Sequence, residues 1–405
     1  SDNRGRPLVC QLRRSLYGLR QAGRAWATLF AAFLIGWGFT RSVIDVCLFT
    51  YVIHSSILWV LVWVDDAIIV SSDTSLRARF VADMSERFPT DDKGDLQWIL
   101  GIAIDRDRDA RKLTMSQALY VTDMVERFAP YLTGIRRSFD TPFSEGLSLD
   151  PSLAPEIGSP EHNDMATHRV VYMSMVGGIM WVANMTNPEL AFPCTQLARV
   201  LSNPSMAHYK SALRVLCYLD SRATRPLTFK PDLSRPLQVY VDASWLPSYS
   251  CSGALFYFAG CLIAWFARTQ RSVSLSSAEA ELYAAMLAVR DTAFYRDLLT
   301  EFGCDSHGAT VILTDSKSVV DLAIDPVAFK NTKHVLRAAN FLRDFVAKER
   351  AALAHIKGDL NLADIMTKAV TRAIFLRLIA CLDTGIAPPV PTPPAPPPEP
   401  VAADQ

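Results

Sequence analysis

From Pro236 to Asp383 the chain reads as three strands, a long helix, and then strands alternating with helices. This order constrains the fold more than any other feature. Leu237 to Val241 alternates apolar and polar side chains, the period of a strand. Gly253 to Phe258 and Leu262 to Ala267 read as the next two strands, joined by a turn at Ala259-Gly260. Ser277 to Leu299 is a long helix, and Thr310 to Thr314 a fourth strand followed by a helix from Ser316. Thr332 to Lys348 reads as a helix, Leu353 to Ile356 as a fifth strand, and Leu362 onward as a final helix. The economical way to bury such a set is one mixed sheet with helices packed on it.

Acids stand at the ends of these elements. Asp242 is expected to end the first strand and Asp315 to end the fourth. Glu281 falls early in the long helix, and Asp364 is expected to open the last one. Ligands of open sheets collect at strand ends where strand order switches. Carboxylates converging from these places would form a hard, oxygen-rich cage of the kind Mg²⁺ prefers. Taken singly, Asp242, Asp315 and Asp364 have a plainer reading as turn residues or helix caps. Glu279 has a structural one: Ser276-Ser277-Ala278-Glu279 matches a capping box. Glu281, two residues on, is left needing another role.

The preceding 235 residues divide in two. Residues 1–130 hold a helix at Ala22 to Gly36 and two strands, or one long hairpin arm, at Ile57 to Val70. An amphipathic helix follows at Ser75 to Phe88, with Leu76, Phe80, Met84 and Phe88 at four-residue spacing. Short strands at Asp95 to Ile104 and Lys112 to Met115 and a helix at Tyr120 to Phe128 complete it. Residues 131–235 begin with a polar, Pro- and Ser-rich linker from about Gly134 to Asp164. Helices at Val171 to Ala183, Leu190 to Leu201 and His208 to Asp220 then form a connecting region. The third part spans residues 236–385. Residues 386–405 form a tail with nine prolines between Pro388 and Pro400, expected to be extended and disordered.

The C-terminal segments resemble the ribonuclease H domain of copia-type (Ty1/copia) retrotransposon Pol polyproteins. The matching stretches are Tyr240-Val241-Asp242-Ala243-Ser244-Trp245, Leu275-Ser276-Ser277-Ala278-Glu279-Ala280-Glu281-Leu282-Tyr283 and Leu313-Thr314-Asp315-Ser316-Lys317-Ser318. Asn331-Thr332-Lys333-His334 and Asn361-Leu362-Ala363-Asp364-Ile365-Met366-Thr367-Lys368 follow in the same order. The resemblance places the family's acidic tetrad on Asp242, Glu281, Asp315 and Asp364. It implies a ribonuclease H-like mixed sheet with flanking helices, Mg²⁺ (or Mn²⁺) as cofactor, and cleavage of RNA in RNA–DNA hybrids, with 2′-hydroxyl contacts giving selectivity. His334 stands where the family has a histidine near the substrate; packing is an equally open role for it.

Asp65 and Asp66 follow eight apolar residues, Ile57 to Val64, and precede Ala67-Ile68-Ile69-Val70. Such flanks suggest a hairpin buried on at least one face, with its acidic tip held at a site; a solvated tip is the plainer alternative. Trp63-Val64-Asp65-Asp66 resembles the Tyr-Val-Asp-Asp box of reverse transcriptases, with Trp in place of Tyr. Leu16 to Trp26 resembles the copia-type segment beside template and incoming nucleotide, which implies binding roles for Gly18, Arg20 and Gln21. Gly23 stands where that family has Pro. The resemblance runs from Val9 to about Leu378. It implies a multidomain α+β and α/β chain: partial palm and thumb, helical connection, then ribonuclease H. A third polymerase Asp is expected on a strand upstream of Val9, where nothing resembles it, so primer extension by this chain alone is not expected.

Composition sets the remaining bounds. Lys and Arg balance Asp and Glu at 41 each, so no global field steers the chain toward nucleic acid. Locally, Arg4, Arg6, Arg13, Arg14, Arg20, Arg24 and Arg41 face only Asp2 in the first 44 residues, a stretch able to neutralise phosphates. Cys10, Cys47, Cys194, Cys217 and Cys261 sit in apolar contexts and no CxxC pair occurs, so reduced core thiols in an intracellular protein are expected, in a cytoplasmic particle or the nucleus. The apolar run Ile57 to Val64 is too short to span a bilayer, so no membrane partner is expected. Partners are expected to be RNA–DNA hybrid, template-primer and the rest of a Pol polyprotein; oligomeric state is not readable. Two other functions remain open: a decayed or domesticated nucleic-acid-binding module, and a DNA nuclease of the same fold.

Overall fold

The computed structural model describes residues 12, 13, 15, 16, 18–135, 138–246, 248–304, 308–324 and 335–388. The chain separates into two compact units, Ser1–Leu96 and Gln97–Gln405. His334 and the Pro-rich tail beyond Pro388 lie outside the described residues, as do Arg4, Arg6, Cys10 and Arg14.

In the first unit, helix α1 (Ala22–Trp37) leads into an antiparallel sheet of β1 (Thr40–Arg41), β2 (Leu48–Ile53), β3 (Ser56–Trp63) and β4 (Asp66–Ser71), in that order, followed by α2 (Thr74–Arg87). Helix α2 starts where Asp73 accepts hydrogen bonds from the Ser75 and Leu76 amides. Its four-residue spacing places Leu76, Phe80 and Met84 on one buried face, with Phe88 beyond the end. That face meets Phe30 and Leu34 of α1 and Leu58 and Val60 of β3. Edge-to-face ring contacts, such as Phe33 with Phe88 at 5.2 Å and Phe39 with Phe80 at 5.1 Å, give this small core its shape. Strands β3 and β4 form the hairpin anticipated from the apolar flanks, buried on one face.

The second unit opens with a sheet whose order is β5 (Trp98–Ile99), β6 (Ile102–Asp107), β7 (Lys112–Ser116) and β8 (Leu227–Phe229). Leu113 of β7 pairs with Phe229 of β8, so segments far apart in sequence share one sheet. Helix α3 (Ala118–Phe128) packs with α4 (Pro160–Met185), α5 (Ala191–Ala198) and α6 (Met206–Asp220) through Val121, Met124, Met175, Ile179 and Leu216. Helix α4 begins at Pro160, inside the stretch expected to be linker, because Ser159 caps it by accepting from the His162 amide. Among the cysteines, Cys194, Cys217 and Cys261 are buried as expected, but Cys47 is exposed: it lies in the turn before β2, outside the apolar face.

The expected mixed sheet follows: β9 (Gln238–Ser244), β10 (Cys251–Phe258), β11 (Cys261–Thr269), β12 (Thr310–Thr314) and β13 (Ala351–His355). Its order is β11-β10-β9-β12-β13, with β9 to β11 antiparallel and β12 and β13 parallel to β9 and to each other. Along β9, Val239, Val241 and Ala243 join α7 (Ser277–Glu301), α8 (Lys317–Ile324) and α9 (Leu336–Ala347) in one core. Tyr240 belongs to the other core, with α4 to α6 and the last helix α10 (Arg372–Thr384). The central strand is therefore covered on both faces, and Gln238 and Asp242 are buried with their apolar neighbours.

Two further expectations, both about the acids, differ from the structure. Asp242 does not end its strand: β9 continues to Ser244, and Asp242 lies opposite Gly253 of β10 within the ladder. Asp364 does not open the last helix: Leu362–Met366 is a separate 3₁₀ turn, and α10 starts only at Arg372, where Thr371 accepts from the Ile374 amide. Tight packing of the turn on β9 and β10 stops the helical periodicity from running through.

Candidate active site

Three elements bring Asp242, Glu281 and Asp315 together. Asp242 comes from central strand β9, Asp315 directly follows the neighbouring strand β12, and Glu281 comes from the start of α7. One carboxylate oxygen from each lies within 4.8 Å of the others. Helix α7 is fixed at its start as anticipated: Ser276 accepts from the Glu279 amide at 3.2 Å, and Glu279 reaches back to accept from the Leu275 amide at 2.8 Å. That spends Glu279 on the cap. Glu281 accepts from the Ala243 backbone, while its Oε2 is buried without a hydrogen-bond partner.

The electrostatics follow from crowding. Burial raises the Glu281 carboxyl far above its ordinary range, and the charges of Asp242 and Asp315 add to the effect. Burial likewise raises Asp242; Lys368 opposes the shift, and Asp364 and Asp315 reinforce it. Acids clustered this way carry their full charge only beside a compensating cation. The buried, unpartnered Glu281 oxygen facing two further carboxylates fits a hard divalent metal, whose preferred donors are such oxygens.

Asp364 stands apart from the group of three. Burial raises its carboxyl as well, and Lys368 Nζ lies 2.9 Å from its Oδ1. The same ammonium lies 3.7 Å from Asp242 Oδ2. The Thr367 hydroxyl donates to Asp242 Oδ2, so Thr367-Lys368 clamps two of the acids. The 3₁₀ turn is itself pinned by buried Asn361, whose Nδ2 donates to the Val241 carbonyl at 3.0 Å while its Oδ1 accepts from the Ala363 amide at 3.1 Å. Lys368, Thr367 and Asn361 had no assigned role in the sequence. The signal was available for Lys368, a lysine four positions after an expected metal-ligating acid.

The first unit offers a different picture. Asp65 and Asp66 sit at the β3–β4 turn, where Val64 adopts φ 57°, and both are exposed. Among the described residues no third acid joins them in a metal-holding group. The tip is tied to α1, because the Trp26 indole donates to the Val64 carbonyl. Gly18, Arg20 and Gln21 lie exposed in the turns leading into α1, with Gly18 at φ 88°. Arg13, Arg24 and Arg41 are exposed as well.

A mixed five-stranded sheet with carboxylates gathered where β9 and β12 adjoin defines a ribonuclease H-like domain, here joined to reverse-transcriptase-like elements. Residues 2–142 match the family model described as reverse transcriptase (RNA-dependent DNA polymerase). The retrovirus-related Pol polyprotein from transposon TNT 1-94 of Nicotiana tabacum is 32% identical over 91% of this chain and 28% of that protein. The Pol polyprotein from transposon RE2 of Arabidopsis thaliana is 29% identical over 91% of this chain and 24% of that protein. A foamy viral protease-reverse transcriptase solved with double-stranded DNA aligns over 85% of this chain and 60% of that one, at 13% identity and a TM-score of 0.43. Over 91% of its length the chain is similar to copia-type retrotransposon Pol polyproteins. It spans about a quarter of the length of these curated relatives.

Proposed function

We propose that residues 236–385, within the second unit, form a divalent-metal-dependent ribonuclease H that hydrolyses the RNA strand of RNA–DNA hybrids, as part of a retrotransposon Pol protein. The observation carrying this reading is the convergence of Asp242, Glu281 and Asp315 within 4.8 Å around a carboxylate oxygen with no partner of its own. In this reading residues 1–130 belong to the palm and thumb of a reverse transcriptase, 131–235 to the connection and 236–385 to the nuclease. The described cysteines are free thiols, which supports an intracellular setting.

The residues divide the work. Asp242, Glu281, Asp315 and Asp364 would hold Mg²⁺ or Mn²⁺. Bound there, such ions would supply activation of a water and positive charge to offset the leaving oxygen of a phosphodiester. Asp242, on a central strand covered on both faces, provides a rigid reference point. Thr367 orients its Oδ2, and Asn361 holds the turn that carries Asp364. Attack of water on phosphorus in line with the 3′-oxygen breaks the P–O3′ bond, leaving a 3′-hydroxyl and a 5′-phosphate. The polymerase reading of Asp65 and Asp66 rests on the family relationship.

The test is cleavage of a labelled RNA–DNA hybrid in Mg²⁺, with duplex DNA and duplex RNA as companions, comparing wild type with Asp315→Asn. RNA-strand cleavage by wild type and a folded, inactive variant is the expected result. Cleavage of duplex DNA instead would move the assignment to a DNA nuclease. Binding to the hybrid without cleavage in Mg²⁺ or Mn²⁺ would leave a nucleic-acid-binding module.

A further inference from the structure

Lys368 is placed where a metal-loaded site has no need of it. Its ammonium lies 2.9 Å from Asp364 Oδ1 and 3.7 Å from Asp242 Oδ2. These oxygens come from different elements, the 3₁₀ turn and the central strand, so one flexible side chain bridges two walls of the acidic cluster. Its stem leaves the chain just after Thr367, which is itself bonded to Asp242, so the ammonium is delivered to the cluster by a fixed anchor. Both partner carboxylates are buried, whereas the Lys368 side chain is 44% exposed and has solvent to withdraw into.

Without a cation, buried carboxylates at this spacing repel one another at low effective dielectric. A lysine can offset that repulsion because its ammonium is a compact charge on a mobile stem. Divalent ions binding Asp242 and Asp364 would place more positive charge at the same oxygens, and the ammonium would be repelled toward solvent.

We propose that Lys368 is the resting-state counter-ion of the acidic cluster: it holds Asp364 and Asp242 in register while no metal is bound, and divalent cations must displace it to bind. This role rests on the metal-site reading of the cluster. It sets a direction for each property of a Lys368→Gln variant. The metal-free protein loses thermal stability, because the acids lose their counter-ion. The same loss makes the empty site more negative, so divalent cations bind more tightly.

The experiment uses the full chain, melted in EDTA and titrated with Mn²⁺ and Mg²⁺ by calorimetry, as wild type, Lys368→Gln and Lys368→Arg. Lys368→Gln is expected to melt roughly 2–4 °C lower in EDTA. It should bind Mn²⁺ roughly tenfold tighter, a modest factor because a part-exposed charge is screened. Lys368→Arg should melt close to wild type in EDTA. If Lys368→Gln does not fold without metal, adding Asp364→Asn should restore folding by removing the orphaned charge; failure to do so overturns the proposal. Wild type that responds to Mn²⁺, with Lys368→Gln matching it both in EDTA and in affinity, overturns the counter-ion role alone. Wild type with no response to Mn²⁺ overturns the metal-site reading and this role together.

Discussion

Gly253 and Met366 meet where a side chain on residue 253 would stand: a Cβ there would fall 2.4 Å from the Met366 Cβ and 2.8 Å from Thr367 Cγ2. Gly253 pairs with Asp242 across β9 and β10, so its missing side chain is the space that lets the 3₁₀ turn reach the acidic cluster. Substitution by alanine is expected to push residues 366–367 off the sheet. Overpacking of this kind costs about 1–3 kcal/mol. Activity on the hybrid should fall further than stability, because Thr367, Lys368 and Asp364 move together. Urea unfolding read beside hybrid cleavage checks this; cleavage preserved at wild-type level would show that the turn tolerates displacement.

Asn361→Ala removes the bond to the Val241 carbonyl and the support of the Ala363 amide from a position only 1% exposed. Leaving a buried carbonyl and amide unpaired is expected to cost about 1–3 kcal/mol. The variant should bind hybrid in Ca²⁺ as wild type does yet cleave it more slowly in Mg²⁺. An unchanged cleavage rate would show that Asp364 is placed by other contacts.

Metal-free stability should depend on pH in a stated direction. Glu281 rises from an ordinary 4.5 to about 9, and Asp242 from 3.8 to about 7, both chiefly through burial. A carboxyl raised on folding favours the native state most when protonated, so its contribution is complete below the unfolded value and is lost as pH climbs through the folded one. Melting in EDTA is therefore expected to fall across the interval from about 4.5 to about 9. Stabilisation by Mg²⁺ should grow across the same interval, since metal binding requires the ionised acids. A melting temperature that rises steadily over that range in EDTA would contradict the burial of these carboxyls.

Arg225 links two further acids of the second unit, Glu189 and Asp383. Its Nη2 lies 3.1 Å from Glu189 Oε2, a fully buried carboxylate, and its Nε lies 2.9 Å from Asp383 Oδ1 of α10. Asn187 and Tyr218 also donate to Glu189. Arg225→Met removes the cationic partner of Glu189 and is expected to destabilise the unit by about 3–5 kcal/mol, as breaking a buried pair does. Equilibrium denaturation measures it. Pairing the change with Glu189→Gln should recover part of the loss, and a double variant as unstable as the sum of the two would show that the groups are not coupled.

Much of this architecture was legible in local pattern. The spacing of Leu76, Phe80 and Met84 placed α2 within a residue of its ends, and Val311-Ile312-Leu313 marked β12. Ser276 and Glu279 announced the start of α7, which explained one acid and left Glu281 over. Such signals survive in sequence because helix and strand periods and caps act over a few residues. Asp242 was harder to place. Its strand is buried on both faces, so polarity at position 242 imitated a strand end although the ladder continues to Ser244. The break after Leu96 was also hidden, because it depends on β7 pairing with β8 from beyond α6.

The sequence by itself determined which acids were candidates and what elements carry them, since a carboxylate between apolar strand residues or one turn into a capped helix is a local fact. Tertiary structure decided which of those acids meet. Asp242, Glu281 and Asp315 converge, Asp364 is engaged through Lys368, and Asp65 and Asp66 remain exposed at a hairpin tip. It also decided the roles of Gly253, Asn361 and Lys368. Each acts through a neighbour more than 100 positions away, as in the bond from Asn361 to Val241 across 120 residues. Close packing is set by the shapes of surfaces that touch only after the chain has folded, and no local periodicity records which surfaces those will be.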